Sequence, residues 1–157
     1  MKLFFRHFGQ GNPLIILHGL FGISDNWVTI GKRLSEDFEV FIPDLRNHGQ
    51  SLHSPVFTIP ALVEDLLDFT EGNKLENVVL MGHSLGGLTS MQFALEYPHL
   101  VKKIIEIINI GINPALADPQ YCKTADRGAQ VIRNDAFEYL VGRDIPPDVP
   151  FKKYGDG

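Results

Sequence analysis

Short apolar runs alternate with amphipathic helical segments along most of this sequence, and the alternation constrains the fold more than any other feature. Continuous apolar runs predict buried strands at residues 14–17, 40–42, 78–81 and 104–108, with a further short strand at 3–8. Right-handed crossovers place a helix between successive parallel strands. The sequence therefore predicts an α/β fold, a mostly parallel sheet with helices on both faces.

Three helices are predicted between these strands. Ser24 or Asp25 can cap the first, in which an apolar residue recurs every three or four positions through Phe38. Thr58 can cap the second, with Pro60 in its first turn and an end at Gly72-Asn73. The third follows residue 84 and should end before Pro98.

Composition narrows the class of protein. The 157 residues are 44% hydrophobic and 21% charged, with a formal net charge of −5, which suits one soluble domain and gives no electrostatic reason to bind nucleic acid or anionic membranes. The single Cys122 offers no internal disulfide, and neither a signal peptide nor a membrane span is recognisable. We expect a cytoplasmic protein that needs no cofactor and no metal.

The segment M-G-H-S-L-G-G, residues 81–87, places a serine between glycines directly after a predicted strand. This spacing is typical of the sharp strand-to-helix turn that presents a nucleophilic hydroxyl. The N–H of Leu85 would begin the next helix and face a developing oxyanion. The second donor should come from H-G-L-F-G, residues 18–22, with the Leu20 N–H preferred and Phe21 as the alternative. Phosphate binding fits less well, because the segment lacks the lysine of a P-loop.

Residues that follow the predicted strands should meet at one edge of the sheet. His18-Gly19, Asp44 and Ser84 each come just after the carboxyl end of a strand, where ligands bind in parallel sheets. We therefore expect a site at this edge, independently of the serine motif.

Three motifs occur in order: I-L-H-G-L-F-G-I-S-D-N-W, P-D-L-R-N-H-G-Q-S and M-G-H-S-L-G-G. Together they resemble the α/β-hydrolase family, above all its small intracellular carboxylesterases and acyl thioesterases, over about residues 1–112. The resemblance implies that Ser84 is the nucleophile and that Leu20 and Leu85 form the oxyanion hole. A serine at this position argues against the branches with an aspartate nucleophile, and in the second motif we expect Asp44 and Arg46 to hold a loop by a charge-assisted hydrogen bond.

The acid and the base of the expected Ser-acid-His order have no assigned residue. His99 is the only histidine after Ser84, and it follows Pro98 in a predicted loop; His18 and His83 are expected to support the site structurally. The resemblance places the acid at Ile108 or Asn109, neither of which is a carboxylate. Glu106 lies inside a strand and Asp118 lies further on, so neither replaces it.

Residues 1–112 are expected to form the N-terminal part of a hydrolase core, truncated after the strand that corresponds to the family's sixth. Residues 113–157 should begin a helical, cap-like region with a proline-rich tail, with helices at Asp118–Arg133 and Asp135–Val141. The Ile104–Ile108 strand would then be an unpaired edge, which predicts a homo-oligomer across it or marginal solubility.

Two functions follow from this pattern. The first is hydrolysis of small acyl esters or thioesters through Ser84, slow without an imidazole base. The alternative is a catalytically incomplete hydrolase-like domain that binds an acyl ligand or a protein partner. Phe21 and Trp27 could line an acyl pocket or simply pack in the core.

Overall fold

The structure, a computed structural model, describes residues 2–107 and 130–133. Within them lie one sheet, a 3₁₀ turn at Ser24–Trp27 and three α-helices. The strands are β1 (Phe5–Phe8), β2 (Asn12–Leu17), β3 (Phe38–Pro43), β4 (Val78–His83), β5 (Val101–Ile107) and β6 (Gln130–Arg133). The helices are α1 (Val28–Leu34), α2 (Ile59–Gly72) and α3 (Leu85–Glu96).

The strands lie in the order β1-β3-β2-β4-β5-β6. β1 is antiparallel to β3, and the other neighbouring pairs are parallel. β2 and β4 are central, and their register places Ile15 opposite Leu80 and Leu17 opposite Gly82. The mostly parallel sheet predicted from the sequence is confirmed.

Helices cover both faces of this sheet, also as predicted. Ile15 of β2 packs in a buried cluster with Leu66 of α2 and Phe93 of α3. Its neighbour Ile16 points to the opposite face and packs in a second cluster with Leu34 of α1. Because successive side chains of a strand alternate between faces, a continuous apolar run is needed to fill both clusters.

The second helix begins and ends where the sequence predicts. The Thr58 Oγ1 accepts a hydrogen bond from the Ala61 N–H at 3.3 Å, and Pro60 lies in the first turn. The helix ends at Gly72, with Asn73 as its C-cap.

The first helix is shorter than predicted. The chain forms the 3₁₀ turn before α1, and α1 ends at Leu34. Phe38 begins β3 and pairs with Asn12, so its place in the helical pattern was a wrong expectation. It still packs against the same cluster as Leu34. The apolar residues therefore recur because they pack in one core cluster, and not because they lie on one continuous helix.

β6 overturns two predictions. Gln130–Arg133 pair in parallel with Lys103–Glu106, so Ile104–Ile108 is not an unpaired edge over that stretch, and the oligomer proposed across it loses its structural basis. The predicted helix Asp118–Arg133 is wrong for its last 4 residues, which form this strand. The ladder supplies their backbone hydrogen bonds, and no local periodicity reveals such a distant partner.

Other expectations fall outside the described residues. They are the rest of the Asp118–Arg133 helix, the Asp135–Val141 helix, the domain boundary at residue 112, the proline-rich tail, and Cys122, Ile108 and Asn109. Among the described helices, none combines the length and the apolar character that a membrane crossing requires.

Candidate active site

Three parallel strands end at the same edge of the sheet, which we call the carboxyl edge. β2 is followed by His18, β3 by Asp44 and β4 by Ser84. Hydrogen bonds join the loops after β2 and β3, because the Leu45 N–H donates to the His18 Nε2 at 3.0 Å. The convergence expected from the sequence is therefore present in the fold.

Ser84 is the single residue between β4 and α3. Its φ of 51° and ψ of −112° lie in a region that residues with a Cβ rarely adopt. The hydroxyl makes no capping hydrogen bond to α3, although serine is a favoured N-cap residue. The turn thus holds a strained serine whose hydroxyl is not used by the helix, as in a nucleophile elbow.

Gly86 allows the start of α3 to lie directly against β2. A Cβ on residue 86 would overlap the carbonyl oxygen of Leu17 and would lie 2.8 Å from that of His18. Only a glycine permits this approach. It places the Leu85 N–H, the first of α3, beside the loop that follows β2, at the end of the helix that favours negative charge.

The loop after β2 contains a tight turn, residues 19–22, which we call the oxyanion loop after the role expected for it from the sequence. The Gly22 N–H donates to the Gly19 carbonyl at 2.9 Å, and Phe21 has a φ of 63°. The Phe21 N–H donates to the His48 Nε2 at 3.3 Å. The Leu20 N–H has no hydrogen-bond partner within residues 2–107 and 130–133. Of the two N–H groups weighed from the sequence, the one on Leu20 is therefore the free donor.

His18 is fully buried and links the two loops. Its Nδ1 lies 2.8 Å from the Gly19 carbonyl, which only accepts, so Nδ1 carries the proton and Nε2 accepts from Leu45. Burial lowers the pKa of His18, the nearby His48 and His83 lower it further, and the Gly19 carbonyl and Asp44 oppose this. A neutral imidazole that makes one hydrogen bond through each ring nitrogen fits the structural role expected for His18 from the sequence.

The Asp44 carboxylate holds the loop after β3. It accepts hydrogen bonds from the Ser24 N–H at 2.6 Å and the Gln50 N–H at 2.8 Å. Gly49 has a φ of 51°, and a Cβ there would overlap this carboxylate. The structural role expected for Asp44 is therefore supported by its contacts.

Arg46 holds the same loop through a different partner. Its Nε and Nη2 donate to the Asp65 carboxylate of α2 at 2.5 and 2.8 Å, and Nη1 donates to the Val56 carbonyl at 2.9 Å. No expectation from the sequence involved Asp65, and the expected bond was between Arg46 and Asp44. The sequence does show a carboxylate on the apolar face of α2, between Leu62 and Phe69. A buried charge at such a position requires a partner, which could have identified Asp65.

A pocket of about 320 Å³ adjoins the elbow. It is lined by the oxyanion loop, by Trp27 and Ile30, and by His83, the residue before Ser84. The ring centroids of Trp27 and His83, which both line the pocket, lie 6.0 Å apart. Phe21 and Trp27, which the sequence left between pocket and core, both line it.

A base for Ser84 is not provided by the described residues. In residues 2–107 and 130–133, no imidazole is hydrogen-bonded to the Ser84 hydroxyl. α3 has 12 residues and is about 18 Å long, and His99 lies beyond its far end. Glu106 lies inside β5, as expected. No group of three His, Cys, Asp or Glu side chains in the described part could hold a metal ion.

Residues 12–145 match the family model of the alpha/beta hydrolase fold. The chain belongs to the α/β-hydrolase family. The matched residues include the strand-turn-helix at Ser84 and the glycine-rich loop after β2.

Several esterases and lipases of this family are similar to the chain. The sn-1-specific diacylglycerol lipase ABHD11 of Xenopus laevis is 40% identical over 112 residues, covering 70% of this chain and 35% of that protein. Esterase YbfF of Escherichia coli K12 is 32% identical over 98 residues, covering 62% and 39%. A solved marine microorganism esterase is 32% identical with a TM-score of 0.66, covering 94% and 65%. The chain thus spans about a third of the length of the curated relatives it matches.

Proposed function

We propose that this chain carries the nucleophile and the oxyanion hole of a serine hydrolase that cleaves small carboxylic esters or thioesters. Ser84 is the nucleophile, and the N–H groups of Leu20 and Leu85 stabilise the oxyanion. The observation that carries the proposal is the strained Ser84 at the strand-to-helix turn, with its hydroxyl left out of helix capping.

The chemistry proceeds in two steps. The Ser84 Oγ attacks the carbonyl carbon, its proton passes to a base, and the two N–H groups bind the negative oxygen of the tetrahedral intermediate. The bond to the leaving alcohol or thiol then breaks, that group takes up a proton, and the acyl group stays on Oγ. Water cleaves this acyl-enzyme, which releases the carboxylate and restores the hydroxyl.

The pocket beside the oxyanion loop supports a small substrate group. Its volume of about 320 Å³ lies at the lower end of the range of about 300–1,000 Å³ that is typical of ligand pockets. Trp27 and Ile30 give it an apolar wall that suits hydrocarbon. Two similar proteins are a diacylglycerol lipase and an esterase, which supports an ester substrate.

Slow turnover is expected from the described residues alone. Without a hydrogen-bonded imidazole, removal of the Ser84 proton is slow even when the oxyanion is well stabilised. The same feature favours the second candidate, an incomplete hydrolase-like domain that binds an acyl ligand in this pocket.

The experiment compares the chain with Ser84→Ala and with Ser35→Ala, a matched serine substitution at the end of α1. Each protein is incubated with a fluorophosphonate probe and with p-nitrophenyl acetate, p-nitrophenyl butyrate and p-nitrothiophenyl acetate. We expect the wild type and Ser35→Ala to form an adduct on the peptide that contains Ser84, and to release product faster than Ser84→Ala.

Comparison of the four reagents separates the candidates. Equal rates for wild type and Ser84→Ala, with no adduct, would contradict the hydrolase proposal. A burst of one product per chain without turnover would favour the binding domain with an activated serine. The ratio of the oxygen-ester and thioester rates identifies the leaving group that the site prefers.

A further inference from the structure

His48 joins the loop after β3 to the oxyanion loop. Its Nδ1 lies 2.9 Å from the Arg46 carbonyl, which only accepts, so the proton of the neutral ring is on Nδ1. Its Nε2 is then the acceptor of the Phe21 N–H at 3.3 Å. The ring lies 5.0 Å from that of His18 and 5.8 Å from that of Phe57, which fixes its place.

The two histidines link the loops in opposite directions. His18, which follows β2, accepts the Leu45 N–H of the loop after β3. His48, in the loop after β3, accepts the Phe21 N–H of the loop after β2. Each ring donates its Nδ1 proton to a carbonyl of its own loop. We call this pair of links the histidine clasp.

Few contacts restrain the unusual backbone conformation of Phe21. It has a φ of 63°, in the left-handed region that a phenylalanine rarely adopts. Its side chain is 91% exposed, so packing does not hold it there. The hydrogen bond to His48 and the Gly22-to-Gly19 bond across the turn are its remaining restraints in the described structure.

We propose that His48 is a positioning residue of the oxyanion loop: by binding the Phe21 N–H, it holds the turn in the conformation that leaves the Leu20 N–H free to receive the oxyanion. This inference rests on the function proposed above. His48 acts through Phe21 and does not touch the reacting atoms. Its loss misplaces an oxyanion donor, and misplacement of a catalytic group by about 1 Å can cost about 100-fold in rate.

Two substitutions in the 157-residue chain separate the contacts of His48. His48→Asn keeps a side-chain donor for the Arg46 carbonyl but is too short to reach Phe21. His48→Gln places its amide oxygen near the position of Nε2 and restores an acceptor for the Phe21 N–H. His53→Asn, at an exposed histidine nearby in sequence, is the matched control.

Two readouts are measured for each protein. The first is the rate of fluorophosphonate labelling at Ser84. The second is the NMR hydrogen exchange of the Phe21 amide, with the Leu45 amide, bound by His18, reporting whether the fold is intact. We expect His48→Asn to label at least 10-fold more slowly and to lose Phe21 protection while Leu45 stays protected. His48→Gln should recover most of both, and His53→Asn should match the wild type.

Two results would overturn the inference: unchanged Phe21 protection in His48→Asn, or lost protection with a wild-type labelling rate. If the wild type does not label at all, the proposed function fails instead, and the Phe21 amide alone decides whether His48 holds the turn. If His48→Asn does not fold, His48→Gln takes its place. A rate and a Phe21 protection close to wild type then support the inference, and loss of either overturns it.

Discussion

At the scale of the residue, the site combines strain with free hydrogen-bonding groups. Ser84 and Phe21 both have a positive φ, and they follow β4 and β2 at the same edge of the sheet. Strain of this kind persists only where surrounding contacts over-determine the backbone. Gly86 and the histidine clasp supply those contacts here.

Replacement of Ser84 should therefore stabilise the fold if the strain is released. We expect Ser84→Gly to raise the free energy of unfolding by about 1 kcal/mol, because glycine adopts a positive φ without a Cβ clash. Ser84→Ala keeps the Cβ and should change it by less than about 0.5 kcal/mol. Urea denaturation of the two variants measures the difference.

A serine at an ordinary helical position of the same helix is the control. Ser90→Gly, inside α3, should lower the free energy of unfolding by at least about 1 kcal/mol, opposite in sign to Ser84→Gly, because glycine disfavours the helix and the buried Ser90 hydroxyl loses its hydrogen bond to the Gly86 carbonyl. Equal destabilisation by glycine at both positions would mean that the elbow is not strained.

At the scale of the element, one buried ion pair ties the loop after β3 to α2. Arg46 and Asp65 are both buried, with side-chain exposures of 9% and 2%, and the guanidinium also binds the Val56 carbonyl. His48 lies in the same loop, so the ion pair also helps to hold the loop from which His48 reaches Phe21. The Asp65 hydrogen bonds raise the pKa of Arg46, which keeps the guanidinium charged.

Loss of one partner should cost far more than loss of both. Arg46→Met removes the guanidinium that donates two hydrogen bonds to the buried Asp65 carboxylate and should cost about 3 kcal/mol of unfolding free energy. The double variant Arg46→Met/Asp65→Leu should recover most of that cost, because no buried charge is left uncompensated. A double-mutant cycle in urea measures the coupling.

The exposed Arg6–Asp25 pair offers the contrasting control. Arg6→Met should cost less than about 1 kcal/mol, since water screens that pair. Additive costs for Arg46→Met and Asp65→Leu would contradict a coupled buried pair.

At the scale of the whole molecule, the neutral His18 couples stability to pH. Its pKa in the folded chain lies below the usual value of 6.5, first because of burial and then because of His48 and His83. The unfolded chain therefore binds the proton more readily. The stability from a neutral His18 is complete above about pH 6.5 and is lost as the pH falls from there through the folded pKa.

We expect the free energy of unfolding to fall as the pH drops below about 6.5, by at most about 1.4 kcal/mol for each pH unit until the folded pKa of His18 is reached. His18→Gln keeps an acceptor for the Leu45 N–H without a titrating group, so its stability should be lower at pH 8 but depend less on pH. The exposed His53→Gln should keep the wild-type slope. Identical slopes for all three proteins would contradict the coupling.

Much of the fold could be predicted from local patterns. The apolar runs located the central strands within a few residues. Thr58 and Asn73 are the N-cap and C-cap of α2, as expected. The glycines around Ser84 predicted its turn. These features depend on backbone propensity and on period, which neighbouring residues determine.

Contacts between distant residues could not be predicted in this way. The Asp65 partner of Arg46, the strand at Gln130–Arg133 and the bond from Phe21 to His48 join residues 19 or more positions apart. A helical pattern over Asp118–Arg133 was misleading at its end, because pairing with β5 outweighs local propensity.

Residue order alone thus specifies the alternation of strands and helices, the sharp turn at Ser84 and the family of the chain, since each is written in spacing between near neighbours. Tertiary folding decides which N–H groups of the oxyanion loop, residues 19–22, stay free of hydrogen bonds. The Phe21 N–H is bound and the Leu20 N–H is left without a described partner because a histidine 27 residues away reaches across the carboxyl edge. That choice depends on the packing of two loops in space, which no local pattern encodes.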